Sequence, residues 1–290
     1  MQLNPIARVD QLDRKTFEKE FLTPHKPVIM RSFMEPWPAR DKWTLNFFKE
    51  EYGDIQVPIA TKDFDEAGKN YRKPAFHIPF REYLEKLEAG PTDYRIFLFN
   101  LLQKQPELNE DYSTPTITDG FMDKIPFLFF GGAGSRVPLH FDIDLSHVFL
   151  SQFHGRKKVL LFGPEQSKLL YHHPFTVSSP VDLTNPDYDR YPALKQAKGI
   201  EAILHPGDTL FMPSGWWHGI EYLDGGYSMA LRARHSLARQ AKSLIHFGEH
   251  LVIDRMVMNR LLGKQWGEQK ERMAHQRAAQ FLPEQVLHTA

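Results

Sequence analysis

The chain has 290 residues, 36 basic and 36 acidic side chains, 41% hydrophobic and 13% aromatic content, and no cysteine. That inventory excludes disulfides, zinc–thiolate sites, iron–sulfur clusters and cysteine nucleophiles, so any metal must be held by histidine and carboxylate. Balanced charge without a Lys/Arg block leaves no footprint for nucleic acid or an anionic membrane, and the absence of an apolar signal core or a spanning apolar run makes a cytoplasmic globular protein the expectation.

Taken in chain order, Leu12 to Phe21 has the apolar spacing of a short amphipathic helix, broken at Thr23-Pro24 and followed by a strand around Pro27 to Arg31. Helical spacing returns in WTLNFFKEEYG and in IPFREYLEKLEAG, where Phe80, Tyr83, Leu84 and Leu87 share a face and Gly90 ends the run. Residues 1–93 are therefore expected to be α+β elements packed on a later core. From 94 to 235 the period changes: PFLFFGG, HVFLSQF, RKKVLLFG, IEAILHPGD, TLFMPSG, WWHGIEYL and GYSMALRA are short β-type runs punctuated by turn residues, the pattern of a sandwich or barrel. The polar, proline-rich stretch 164–199 reads as an insertion near the barrel mouth. After His235, Leu237, Leu244, Ile245, Val252, Met256 and Leu261 recur at helical steps. Their stripe needs a cover, either the chain's own barrel or a second copy in a homodimer through residues 236–290. No repeat and no clean linker divides the chain, so a mainly β fold with helical decorations is predicted.

In PLHFDIDLSH, His140 and Asp142 lie two residues apart, which on an extended strand puts an imidazole and a carboxylate on one face. Fourteen histidines among 36 acids produce such pairs by chance, so the pair alone says little. Later in the chain, HPGDTLFMPSGWWH adds two turns, at Pro206-Gly207-Asp208 and Pro213-Ser214-Gly215, whose placement would return His218 toward the first pair. Two histidines and one carboxylate make the facial triad of non-haem Fe(II) oxygenases, and zinc takes the same ligands.

GSRVPLHFD and GDTLFMPSGWWH look like the two metal motifs of the cupin superfamily. Together with HGRKKVLLFGPEQSKLLY, NPDYDRYP and PSGWWHGIEYLDGG, they make the chain resemble, over most of its length, the Jumonji-C (JmjC) 2-oxoglutarate oxygenases of cupin-like type, the family of the asparaginyl hydroxylase of hypoxia-inducible factor. The resemblance implies a double-stranded β-helix, or jelly roll, with Fe(II) held by His140, Asp142 and His218 and 2-oxoglutarate chelating it as co-substrate. It also implies a lysine for the distal carboxylate of the co-substrate. That position is Lys157, with Lys158 one step out of phase on the opposite face.

The family pattern is altered at four pocket positions. Val137 and Phe97 stand where similar hydroxylases carry hydroxyls, and Arg232 stands where an asparagine lines the pocket. The planar fork of Arg232 suits a carboxylate, so Arg232 is a candidate to replace or compete with Lys157. His147, in place of another pocket amide, is a candidate donor. Phe97, Phe149, Phe153, Phe211, Trp216 and Trp217 are among the candidates for an apolar wall, with one of the two tryptophans expected to buttress His218.

The preferred reading is an Fe(II)/2-oxoglutarate-dependent oxygenase that uses O2 to hydroxylate a carbon of a protein side chain or small molecule; a demethylase would share the same iron chemistry. Two alternatives stay open: a metal-dependent cupin enzyme that does not use 2-oxoglutarate, and a non-catalytic dimeric interaction module. Three convergent ligands argue against the last, because a scaffold has no need of them.

Overall fold

Between residues 127 and 233 the alternation of side chains along each strand sorts apolar groups onto two faces, and the chain folds so that both faces are covered. The computed structural model describes residues 1–61, 74–96, 99–122 and 126–282. Its strands, in chain order, are β1 (Gln2–Pro5), β2 (Arg8–Val9), β3 (Val28–Met30), β4 (Gln56–Ala60), β5 (Phe76–Pro79), β6 (Arg95–Ile96), β7 (Phe127–Gly131), β8 (Arg136–His140), β9 (His147–His154), β10 (Lys157–Phe162), β11 (Lys198–Leu204), β12 (Thr209–Met212), β13 (Trp217–Tyr222) and β14 (Gly226–Ala233). They form a five-stranded sheet in the order β1-β11-β10-β13-β8 and a nine-stranded sheet in the order β2-β3-β12-β9-β14-β7-β6-β4-β5. Of the last eight strands, β8, β10, β11 and β13 lie in the smaller sheet and β7, β9, β12 and β14 in the larger, all paired antiparallel, which is the jelly roll that the resemblance implied. The N-terminal strands widen each sheet: β1 runs parallel to β11, and β3 pairs with β12.

Three apolar clusters divide the molecule. Val148, Leu150, Val159, Leu161, Leu204, Leu210 and Ala230 fill the space between the sheets. On the outer face of the larger sheet, Phe149, Phe211, Tyr227 and Leu231 pack against the N-terminal elements, including Phe17, Phe48, Phe80 and Tyr83. On the outer face of the smaller sheet, Leu160, Phe162 and Trp217 pack under the 164–199 insertion through Leu170, Tyr171, Tyr191 and Leu194, and under the C-terminal helix through Ala274 and Ala278.

The N-terminal helices start where their caps allow. Asp13 accepts from Thr16 N–H at 3.0 Å ahead of the short helix Arg14–Phe17, and Thr44 Oγ1 accepts from Phe47 N–H at 3.0 Å ahead of Leu45–Tyr52. The helix Phe80–Ala89 buries Phe80, Tyr83, Leu84 and Leu87 and stops at Gly90, whose φ of 145° ends the run. The strand expected around Pro27 to Arg31 is Val28–Met30. After Ala233 the chain runs through the helix Leu237–Phe247, a wide-turned stretch Gly248–Met258 and the helix Asn259–Leu262. It reverses at Gly263 and returns as the helix Lys264–Ala279. Among the described residues, no helix is long and apolar enough to cross a membrane.

Candidate metal centre

His140 is the last residue of β8 and His218 the second of β13, and the two are direct cross-strand partners. Register alone therefore brings the imidazoles together, with ring centroids 4.3 Å apart. The register depends on the two turns flanking β12, where Gly207 and Gly215 adopt φ of 98° and 76°, values that side chains with a Cβ rarely reach. Asp142 follows β8 by two residues. One ligand atom from each of His140, Asp142 and His218 lies within 4.8 Å of the others, and this is the only such group of three among the described residues.

Both histidines are oriented from behind. His140 Nδ1 donates to the Pro138 carbonyl at 2.9 Å and His218 Nδ1 to the Trp216 carbonyl at 3.1 Å. A carbonyl can only accept, so each ring carries its proton on Nδ1 and keeps the Nε2 lone pair for a ligand. Trp217, fully buried on the opposite face of β13, meets Phe141 edge-on at 4.9 Å and donates Nε1–H to Ser167 Oγ at 2.9 Å, which wedges the strand that carries His218. Burial by itself would push the Asp142 carboxyl up. Arg232, at 3.0 Å, and the two histidines outweigh it and hold Asp142 well below the usual carboxylate range. The donor set is thus two imidazole Nε2 atoms and one ionised carboxylate on one side of a space, which fits an octahedral divalent ion such as Fe(II).

The strand alternation also settles which lysine points inward. Lys157 shares the inner face of β10 with Val159 and Leu161 and is 1% exposed, while Lys158 points outward toward Glu201 at 3.5 Å. The Lys157 ammonium donates to Ser228 Oγ and, at 3.4 Å, to the Phe129 carbonyl, and lies 4.2 Å from the centre of the Tyr222 ring. No carboxylate lies within ion-pair distance of it among the described residues, and burial drives its pKa well below the ordinary lysine value. Arg232 lies on the same interior side, at the end nearer the metal ligands. It follows Ser228 and Ala230 on the inner face of β14, and Nη1 contacts Asp142, Asp144 and Ser146. The partners Ser228, Tyr222, Asp144 and Ser146 were not singled out in the sequence. Period-two spacing along β14 from Arg232 is the signal that marks Ser228, whereas Asp144 lies in a turn, where alternation gives none.

His147 is not brought into this constellation. It begins β9 on the face shared with Phe149, outside the barrel, where it stacks on Phe211 and His235 at centroid distances of 5.6 and 4.7 Å and accepts from Ser214 N–H at Nδ1. Burial, then His235 and His25, lower its pKa to about 3, so it is a neutral packing residue. The physical reason is parity, since an odd number of residues separates its face from that of Val148 and Leu150. By the same rule Phe149 and Phe211 line the outer core rather than a wall of the site. Phe97 lies outside the described residues.

The cupin-like domain profile matches residues 14–233 of this chain, which include the whole barrel and all three candidate ligands. The chain belongs to the cupin-like JmjC family. Lysine-specific demethylase 8 of Danio rerio is 30% identical over 246 residues, covering 79% of this chain and 59% of the relative. The 2-oxoglutarate and iron-dependent oxygenase JMJD4 of Gallus gallus is 27% identical over 254 residues, covering 77% and 58%. The tRNA wybutosine-synthesizing protein 5 of Gallus gallus is 27% identical over 253 residues, covering 80% and 78%. This cupin-like chain spans less than two thirds of the length of the first two relatives, and the names of the demethylase and of the tRNA-modifying relative point to different substrates.

Proposed function

We propose that the chain is an Fe(II)- and 2-oxoglutarate-dependent oxygenase that hydroxylates a carbon centre of a protein side chain or small molecule. The observation that carries this is the convergence of His140, Asp142 and His218, with both imidazoles locked so that Nε2 faces the space between them. With Fe(II) and 2-oxoglutarate bound, such a site oxidises the keto acid to succinate and CO2 while one oxygen atom of O2 enters a substrate C–H bond. The protein's share is to hold the reactants and exclude competing chemistry.

In this reading His140, Asp142 and His218 hold the iron and Lys157 holds the distal carboxylate of the co-substrate. His218 faces Leu161 across β10 and β13 and Lys157 faces Tyr222, four residues further along the strand. At ~3.3 Å per residue that is about 13 Å, a gap that a lysine side chain and a five-carbon diacid fill together. Ser228 supplies there the hydroxyl that Val137 and Phe97 cannot. Removal of an N-methyl group also begins with hydroxylation of a carbon, so the demethylase relative requires no different machinery at the metal. We further propose a homodimer through the apolar face of residues 237–262, argued at the scale of the whole molecule below.

Anaerobic addition of Fe(II) and 2-oxoglutarate should produce the weak visible absorption of an iron-chelated keto acid, and His140→Ala should abolish it. Metal uptake without that band would instead favour a cupin enzyme that does not use the keto acid.

A further inference from the structure

Outside the metal centre, three imidazoles from distant parts of the chain meet on the rim of the barrel. His25 follows the first N-terminal helices, His147 opens β9 and His235 follows β14, and their ring centroids lie 5.9 Å (His25 to His147), 5.0 Å (His25 to His235) and 4.7 Å (His147 to His235) apart. Arg239 joins them from the first turn of the helix Leu237–Phe247, with Nη1 3.4 Å from where a Cβ at Gly215 would stand. Gly215 is three residues before His218 and lies beside Leu145, which is three residues after Asp142. At most about 11 Å of chain therefore separates this corner of the cluster from either ligand.

Backbone donors fix the tautomers. Ser214 N–H donates to His147 Nδ1 at 3.2 Å and Ser236 N–H to His235 Nδ1, so both neutral rings carry their proton on Nε2. His235 Nε2–H then donates to His25 Nε2 at 3.1 Å, which leaves the proton of His25 on Nδ1. His147 stacks on His235 and holds it in that orientation. Every Nε2 of the trio is thus protonated or already accepting, so the cluster is unsuited to a second metal ion and offers N–H donors instead.

Its charge is unbalanced. Among the described residues no carboxylate forms an ion pair with Arg239, and the helix that carries it has neither an acid in its first turn nor a side-chain cap. The positive end of a helix dipole disfavours a cation there. Burial, then Arg239, lowers the pKa of His25; burial, His25 and Arg239 lower that of His235, and no described carboxylate offsets either. His25 is moreover held at φ of 53°, a conformation that favours glycine, so its imidazole is kept at a conformational cost. A carboxylate seated here would pair with the guanidinium, accept from His25 Nδ1–H and oppose the helix dipole together. Arg239 is the one full positive charge acting on these rings, which matches a monoanion, whereas a phosphate backbone calls for a track of cations.

On the oxygenase reading above, we propose that Arg239 and His25 form a carboxylate site on the barrel rim that seats an acidic side chain of a protein substrate, about three residues along an extended peptide from the carbon to be oxidised.

The test uses the full chain with Zn(II) in place of Fe(II) and nitrogen-15 in its histidine rings, with the His25 signal assigned through His25→Gln. Acetate and methyl phosphate are the probes. Acetate should shift the His25 ring signals saturably. Arg239→Gln should weaken acetate by about tenfold, the scale of one lost charge-assisted pair, and Arg239→Lys by less, with Zn(II) affinity within about twofold of the unaltered protein in both. No saturable shift, or one indifferent to Arg239→Gln, overturns the site, and a clear preference for methyl phosphate over acetate overturns the choice of a carboxylate. The link to substrate is read by fluorescence anisotropy with two pools of short random peptides, one containing Asp and Glu and the other Asn and Gln in their place. The acidic pool should bind about fivefold tighter or more, and Arg239→Gln should erase the difference; equal binding of the two pools by the unaltered protein overturns the substrate role. If acetate shifts His25 while the Zn(II)-loaded protein takes up no 2-oxoglutarate, the oxygenase reading falls and the carboxylate site stands.

Discussion

In the proposed oxygenase, Lys157 is a residue at which stability is given up for binding. Its amine is buried with a hydroxyl and a carbonyl as partners and no carboxylate among the described residues. In the unfolded chain it keeps its proton up to the ordinary value of 10.5, whereas in the folded protein burial lowers that value. Burial thus penalises folding wherever the unfolded lysine is charged, and the penalty fades as pH rises toward the unfolded pKa. Lys157→Met is expected to raise the melting temperature of the ligand-free protein by a few degrees, about 2–4 °C for each kcal/mol relieved in a chain of this class, with the gain shrinking as pH rises toward 10.5. A fall in melting temperature would mean that Ser228 and Phe129 already compensate the amine. A carboxylate arriving at Lys157 raises its pKa again, so as pH approaches 10.5 2-oxoglutarate binding should be accompanied by proton uptake. In calorimetry this appears as a binding enthalpy that changes with the ionisation enthalpy of the buffer; an enthalpy indifferent to buffer excludes it.

At the scale of elements, the 164–199 insertion and the returning C-terminal helix are joined through one side chain. Glu271, on the helix Lys264–Ala279, accepts from His173 Nε2 at 2.9 Å, Tyr191 Oη at 2.9 Å and Arg190 Nη2 at 3.1 Å, all three from the insertion. The insertion in turn hydrogen-bonds to the metal strand: Phe141 N–H donates to the Val177 carbonyl and Ser179 N–H to the Leu139 carbonyl, both at 3.0 Å. Pairing with His173, opposed by partial burial and helped by Tyr191 and Arg190, lowers the Glu271 pKa to about 2. A depressed carboxylate contributes stability that is present above the unfolded pKa of 4.5 and is lost as pH falls toward 2. Glu271→Gln should therefore lower the melting temperature at pH 7 by a few degrees, the consequence of about 1–2 kcal/mol for a partly exposed network. The difference from the unaltered protein should close between about pH 4.5 and pH 2. A difference that persists at pH 2 would assign the effect to shape rather than charge.

At the scale of the whole molecule, the returning helix covers the smaller sheet, while the segment before it is left uncovered. Leu244 and Leu261 are 72% and 74% exposed, with Leu237, Ile245, Val252 and Met256 exposed beside them. An apolar surface of this extent on an isolated chain marks an interaction face, and a second copy supplies an equally apolar partner around a two-fold axis. Leu244→Glu combined with Leu261→Glu should convert a dimer of 33.8 kDa subunits into a monomer, read as mass in solution, without disturbing the helix that packs through Ala274 and Ala278. An unchanged mass, or a monomer before substitution, rejects the interface.

The amino-acid order by itself determined a sandwich or barrel of short strands, because period-two alternation and turn residues with forced backbone angles are local properties, while the jelly roll and the ligand trio followed from the resemblance to the cupin-like family. It also set Lys157 and Lys158 on opposite faces, since adjacent residues on a strand alternate; that Lys157 is the inner one was decided by the stacking of the sheets. It could not place His147 or Arg232. Which face of β9 looks inward, and which carboxylates lie across the cavity from β14, depend on how two sheets stack, and pairing across space leaves no mark on spacing along the chain. The tertiary structure alone decided that Arg232 grips Asp142 and Asp144 at the metal end while Lys157 is left without a carboxylate partner among the described residues.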